Sequence, residues 1–291
     1  MTDVTVSQSS SVKDVVPRNL DFELDDTVHY DWLDGCPGKS NFLNALSVLF
    51  PEGETFFIDS TRPYIKNATD PKLKKELKNF MTQEAFHTRE HEAYNAMLVR
   101  EGIKADTMEK NLKVILDFGR KNLPKMHQLA LTVVLEHWTA SLASILLENP
   151  DTLKGAHPKM RAMWLWHAVE ESEHKAVCFD LMKAACKDEK QFYRARIRAH
   201  FAVLLPFMGR TFVYYLMMMK QTGNLLNLKA HGRVFNQLWG KPGIMRKMVP
   251  LWFDFFRKDF HPWDHDNRDM IAKWDEQAGD IHAIPADFQP A

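Results

Sequence analysis

Apolar positions recur at spacings of three and four residues over most of the chain, and strict apolar–polar alternation is almost missing. The pattern therefore predicts helices and hardly any strand. A first helix is expected from near Ser40 through Phe50, with Pro51 and Gly53 interrupting it and helical text resuming over 54–66. Asn67-Ala68-Thr69-Asp70-Pro71 reads as a turn that starts the next helix, because Asp70 can accept from free amides and Pro71 suits the first helical position. A long helix over roughly 72–100 comes next, ended by Gly102. Further helices are expected over 106–122, from Leu123-Pro124 to about Leu147, and from about Lys159 to Cys186, the last two separated by a polar loop at 148–158. Helical text from about Lys190 to Lys220 is irregular at Pro206 and Gly209, and Gly223, Gly232, Gly240 and Gly243 divide the chain beyond it into shorter pieces. Residues 1–17 are polar and Ser-rich and read as disordered or loosely attached. Three regions result: an N-terminal arm, partly disordered (1–35), a helical domain (36–260) whose C-terminal extension begins near 196, and a tail (261–291).

Composition narrows the class. An apolar fraction of 45% and a charged fraction of 26% over 291 residues suit a soluble globular protein. A formal net charge of zero gives no reason to expect a nucleic-acid partner. Cys36, Cys178 and Cys186 form no CxxC pair, so free thiols in a reducing compartment are expected, and no basic and apolar leader is seen; the expected location is cytoplasmic.

Two motifs carry the chemistry: Glu84-Ala85-Phe86-His87 and Glu171-Ser172-Glu173-His174. Glu54 precedes the first by 84 − 54 = 30 residues and Glu136 precedes the second by 171 − 136 = 35. In an antiparallel helix pair, residues at equal depth lie equally far from the turn. The midpoint of Glu54 and Glu84 is 69, inside the 67–71 turn, and that of Glu136 and Glu171 is 153.5, inside the 148–158 loop. Two helical hairpins would thus set each lone Glu level with a Glu-x-x-His, which is the arrangement of a two-metal site in a four-helix bundle. Glu136 is the only charged residue from Met126 to Leu147, counting His as neutral, and a carboxylate in the middle of an apolar helix needs a partner. His87 shares a helix face with Glu84, and His167, Glu171 and His174 share another at i, i+4, i+7. His91 returns to the face of Glu84 and is expected behind the ligands, holding one of them. Glu170 and Glu173 point off that face and are expected to be exposed, and His137 is expected to be structural.

Four carboxylates balance a pair of divalent ions and can bridge them, while imidazoles bind at the ends. Zinc favours fewer, tetrahedral ligands, so the expected cofactor is two metal ions, iron first and manganese second. In order and type, Glu54, Glu84, His87, Glu136, His167, Glu171 and His174 resemble the ligand set of ferritin-like di-iron oxygenases of the aminobenzoate N-oxygenase kind, in which a third imidazole, here His167, is the distinguishing feature. The wider text is similar to a bacterial family of predicted metal-dependent hydrolases. That likeness is carried by Phe50-Pro51-Glu52-Gly53-Glu54-Thr55-Phe56-Phe57, Gln83-Glu84-Ala85-Phe86-His87, the 166–174 run and Phe260-His261-Pro262-Trp263, and spans residues 30–275.

The expected fold is all-α, a ferritin-like four-helix bundle with additional C-terminal helices. The first functional reading is an O2-activating di-iron or Fe/Mn oxygenase acting on a small hydrophobic organic molecule, with O2 and an electron donor as co-reactants. The alternative is a hydrolase using a metal-bridged water, and a non-enzymatic metal-binding or membrane-docked protein is the third. Phe201–Met219 is apolar and 246–258 is basic and aromatic; a core helix, a homodimer face or a peripheral membrane contact would each use such text. His261-Pro262-Trp263-Asp264-His265 is expected to anchor the C-terminal segment.

Overall fold

A side-chain cap or an N-terminal proline marks the start of several helices. In the computed structural model, which describes residues 14–65 and 68–278, the helices are α1 (Pro37–Ser47), α2 (Phe50–Ile65), α3 (Pro71–Arg100), α4 (Ala105–Asn122), α5 (Lys125–Glu148), α6 (Pro158–His174), α7 (Val177–Ala185), α8 (Glu189–Gln221), α9 (Leu228–Trp239), α10 (Ile244–Asp254) and α11 (Arg268–Ala278). Asp70 accepts from the Lys72 amide with Pro71 behind it, and Asp188 accepts from that of Gln191, so α3 and α8 start on side-chain caps. Gly102, at φ +84°, ends α3 in a backbone region that favours glycine. The protein is all-α: among the described residues the one β-type pairing is an isolated bridge between Leu33 and Ala156.

Two boundaries differ from expectation. Pro51 and Gly53 do not interrupt a helix; both lie in the first turn of α2, where the amide hydrogen that Pro51 lacks would have no helical partner, and the Gly53 amide bonds the Leu49 carbonyl at 3.2 Å. The segment expected as one helix from Lys159 to Cys186 breaks at Lys175-Ala176, directly after His174. Lys175 is buried there, donating to the His265 carbonyl at 2.5 Å and Asn267 Oδ1 at 2.8 Å with Trp263 4.1 Å away, so the C-terminal segment supplies the bonds at the break. His261 anchors that segment too, at 3.1 Å from Asp180.

α2 packs on α3 and α5 on α6, and the two hairpins meet through α2 with α5 and α3 with α6 and α7. α1 and α5 both rest on α8. Gly38 on α1 permits the approach of α9, since a Cβ there would lie 2.2 Å from the Ala230 carbonyl oxygen. Two apolar clusters fill the bundle. Phe50, Tyr94, Ala143 and Trp164 belong to one, and Phe57, Phe80, Val133 and Val177 to the other. On α2, α3 and α5 the buried Glu and His residues fall between members of the two clusters, and those of α6 lie between Trp164 and, past the helix end, Val177, forming a polar band across the core.

The described part of the N-terminal segment, from Asp14 onward, packs on the bundle: Val15, Arg18 and Leu20 are buried, and Asn79 and Gln83 donate to the Val15 and Val16 carbonyls. The loose attachment expected for 1–17 therefore does not hold from Val15 on; residues 1–13 lie outside the described residues. Among those described, α5 and α8 are long and apolar enough to cross a membrane, but the apolar window of α5 is 83% buried in the core. That of α8 is 28% buried, and it presents Phe201, Leu205, Phe212 and Val213 to the surface.

Candidate metal centre

Every sequence-predicted ligand lies in the polar band. Glu54 comes from α2, Glu84 and His87 from α3, Glu136 from α5, and His167, Glu171 and His174 from α6, and all are at most 4% exposed. Two triads form. Glu54, His87 and His167 bring one donor atom each within 4.8 Å of one another, and so do Glu84, Glu171 and His174. His174 Nε2 is 3.1 Å from Glu84 Oε1 and 3.3 Å from Glu136 Oε2, so Glu136 joins the second triad. Glu171 links the two: Oε1 is 3.1 Å from His167 Nε2 and 3.8 Å from His87 Nδ1, and Oε2 is 3.6 Å from His174 Nε2. The rings of His87 and His167 stack at 4.2 Å.

The outer nitrogen of each imidazole is held from behind. Gln83 donates its amide to Glu173 and to the Val16 carbonyl, so its oxygen accepts from His174 Nδ1 at 2.9 Å and Nε2 is turned to the cluster. His87 Nε2 is 3.1 Å from Glu170 Oε2, leaving Nδ1 for the cluster. Behind His167 the chain of donors fixes the tautomer. Asn95 uses its amide on Glu109 and the Ser47 carbonyl, so its oxygen accepts from Ser47 Oγ, and Ser47 accepts from His91 Nδ1 at 2.9 Å. His91 Nε2 then accepts from His167 Nδ1 at 2.8 Å, and His167 Nε2 offers its lone pair inward. His91 is thus a positioning residue. Its replacement by Ala should weaken metal binding about 10- to 100-fold while leaving the helical circular-dichroism spectrum intact, as chelator competition would measure.

Glu170 and Glu173, expected to be exposed, are 0% and 2% exposed. The reason is Arg18, which reaches them from the N-terminal segment: Nη2 meets Glu173 Oε1 at 2.6 Å, Nη1 meets Oε2 at 3.0 Å, and the Arg18 amide donates to Glu170 Oε1 at 2.8 Å. Sequence reasoning missed Arg18, Gln83, Glu170 and Glu173. The doubled acids beside Glu171 were the one signal for Glu170 and Glu173; Arg18 gave none, its partners being more than 150 residues away. His137 is structural, bonded to the Leu251 carbonyl and stacked on Phe255.

Burial dominates the electrostatics. It pushes Glu54 and Glu84 well above the usual carboxylate range, Glu171 and Glu136 adding repulsion at Glu54 and Glu136 and Glu171 at Glu84. Glu136 is raised by burial to about 7, although His174 opposes the shift. Burial disfavours charge at Glu171 and His174 as well, but their mutual attraction wins, so Glu171 is held low and His174 high, with Glu136 also favouring the imidazolium. His87 is held low by burial and by His167.

The donor atoms themselves test whether metal fits. Glu54 Oε1, both oxygens of Glu84 and of Glu136, Glu171 Oε2, His87 Nδ1 and His174 Nε2 are buried, and none has a hydrogen-bond partner among the described residues. Buried polar atoms are almost always satisfied, and eight orphans on one cluster call for a cation. Oxygen-rich sets with imidazole ends suit divalent iron, manganese or zinc, and once their protons leave these atoms converge as ligands would.

The chain matches the family described as predicted metal-dependent hydrolase over residues 16–266, and it belongs to that family. No curated protein and no solved structure matches it. The family description speaks for the hydrolytic alternative, whereas the likeness to di-iron N-oxygenases rests on the donor set alone.

Proposed function

We propose that this member of the predicted metal-dependent hydrolase family holds two metal ions in the buried carboxylate–imidazole cluster and hydrolyses a small organic substrate there. The observation that carries the reading is the set of eight orphaned donor atoms converging from four helices. Glu54, His87 and His167 would hold one ion and Glu84, Glu136 and His174 the other, with Glu171 between them. When bound, such a pair supplies Lewis acidity and a water acidic enough to react near neutral pH. The chain's own part is to orient and to keep bulk water out. Gln83, Glu170 and His91 fix the rings of His174, His87 and His167. Phe80, Trp166 and Phe50 close around the same rings, at 4.9 Å from His174, 4.8 Å from His87 and 5.1 Å from His167. Thr88 donates to Glu54 Oε2 and leaves Oε1 for the cluster.

A second reading, O2-dependent oxidation by iron or Fe/Mn, is favoured by the donor count, because four carboxylates and three imidazoles exceed what a zinc hydrolase needs. One experiment separates them. Protein loaded with zinc or manganese in an anaerobic chamber should still turn over hydrolysable substrates, and elemental analysis should find about two ions per chain, falling below about one in Glu171→Ala. Turnover only with iron and O2 selects the second reading. Absence of bound metal from protein grown with iron, manganese and zinc rules out both.

A further inference from the structure

Three cavities adjoin one another in a line that ends on the candidate metal centre. The outermost, of about 190 Å³, lies between α5, α8, α9 and α10 and is walled by Trp138, Met208, Trp239, Met248, Val249 and Trp252 among others. Trp239 and Val249 are also exposed, so this chamber reaches the surface. The middle cavity, of about 30 Å³, shares Trp138, Met208, Met245 and Met248 with the chamber. The innermost, of about 20 Å³, shares Phe50, Thr139 and Leu142 with the middle one and is lined by His167 and Glu171.

The walls state what can occupy this line. Of the polar groups bordering the chamber, Ser141 donates to the His137 carbonyl at 2.6 Å and His137 bonds the Leu251 carbonyl, while the indole N–H groups of Trp138 and Trp252 have no partner among the described residues. Water in the chamber would find few partners, and a cavity so lined stays dry or takes an apolar guest. The two inner cavities each have room for one or two water-sized groups, so only a slender, unbranched group can lie there. Three methionines form the constriction, and their unbranched side chains adapt to a guest without loss of packing.

We propose that this line is the substrate channel, and that the substrate is an acyl or alkyl compound whose unbranched hydrocarbon chain runs from the His167–Glu171 end through the constriction into the chamber. The inference rests on the reading of the cluster as a metal centre and names the class of compound that reaches it. The chain would enter where Trp239 and Val249 open the chamber, a rim flanked by exposed Phe253 on α10 and Leu205 on α8.

The test reads binding rather than turnover. Fluorescent cis-parinaric acid is bound to metal-loaded and to metal-free protein and displaced with hexanoate, decanoate and tetradecanoate. Affinity should rise by up to about fourfold per methylene that enters the channel. Met248→Trp fills the chamber from half-buried α10, and Leu142→Trp blocks the passage between the middle and innermost cavities; each should weaken tetradecanoate by about tenfold or more. Should Leu142→Trp fail to fold, Met248→Trp carries the test alone. Displacement that ignores chain length, or unchanged affinity in the folded variants, overturns the channel even if two ions bind. Chain-length-dependent binding by a protein that takes up no metal supports the channel and removes the function proposed above.

Discussion

Metal uptake should expel protons, and affinity should rise with pH, by up to about tenfold per pH unit below about 7 from Glu136 alone. Burial raises Glu54 and Glu84 well above the ordinary carboxylate range, which favours their protonated forms in the metal-free protein. His174, held high by Glu136 and Glu171 against the effect of burial, is favoured as its imidazolium form. A cation can use these atoms only after the protons leave, so lower pH weakens binding and higher pH strengthens it. Glu136, raised to about 7, contributes a further proton below that pH and none well above it. The proton count should therefore drop by about one on passing from pH 6 to pH 8. Titration calorimetry in buffers of different ionisation enthalpy measures the count directly. Binding with no proton release would place the metal outside the buried cluster.

Replacing Arg18 with Met should cost about 3–5 kcal/mol of folding stability, the usual consequence of removing one partner from a buried ion pair. The Arg18 side chain is 4% exposed and makes a two-pronged contact with Glu173, which is itself fully buried. It also approaches Glu170 at 3.4 Å and Asp275 at 3.1 Å. Without the guanidinium, the buried Glu173 side chain loses the cation that satisfies it, which is unfavourable. The Arg18→Met, Glu173→Gln double variant should recover most of the loss, because the stranded charge is gone. Urea unfolding of the three proteins checks this; a loss under about 1 kcal/mol in the single variant would show that the pair is solvated. Glu173 also takes the Gln83 amide whose oxygen holds His174. Through Glu170, which Arg18 bonds and which holds His87, the N-terminal segment reaches to within one side chain of a candidate ligand, and Arg18→Met should disturb the site as well as the fold.

The local part of this molecule was legible in the sequence. Helical periodicity gave the all-α fold, Asp70-Pro71 and Gly102 marked the ends of α3, and the midpoint arithmetic placed both turns of the central hairpins. The seven candidate ligands were legible for the same reason. At 100° per residue, the spacings Glu84–His87 and His167–Glu171–His174 put side chains on one helix face whatever the partner, and equal distance from a turn sets two helices level. Where local rules compete with long-range contacts, the sequence misled. Glu170 and Glu173 sit on what looks like a solvent face until Arg18 arrives from a segment that reads as loose. Lys175 would extend a helix were it not drawn to His265 and Asn267.

By itself, then, the sequence determined the helical class, the pairing depth of the central hairpins and the candidate donor set, because these follow from the covalent repeat of the α-helix. The tertiary structure alone decided which nitrogen of each imidazole faces the cluster, which carboxylates stand behind it, and that three apolar cavities lead to it. Those features depend on side chains from distant segments meeting in one dehydrated core, where every donor must find an acceptor and no periodicity along the chain records which one it finds.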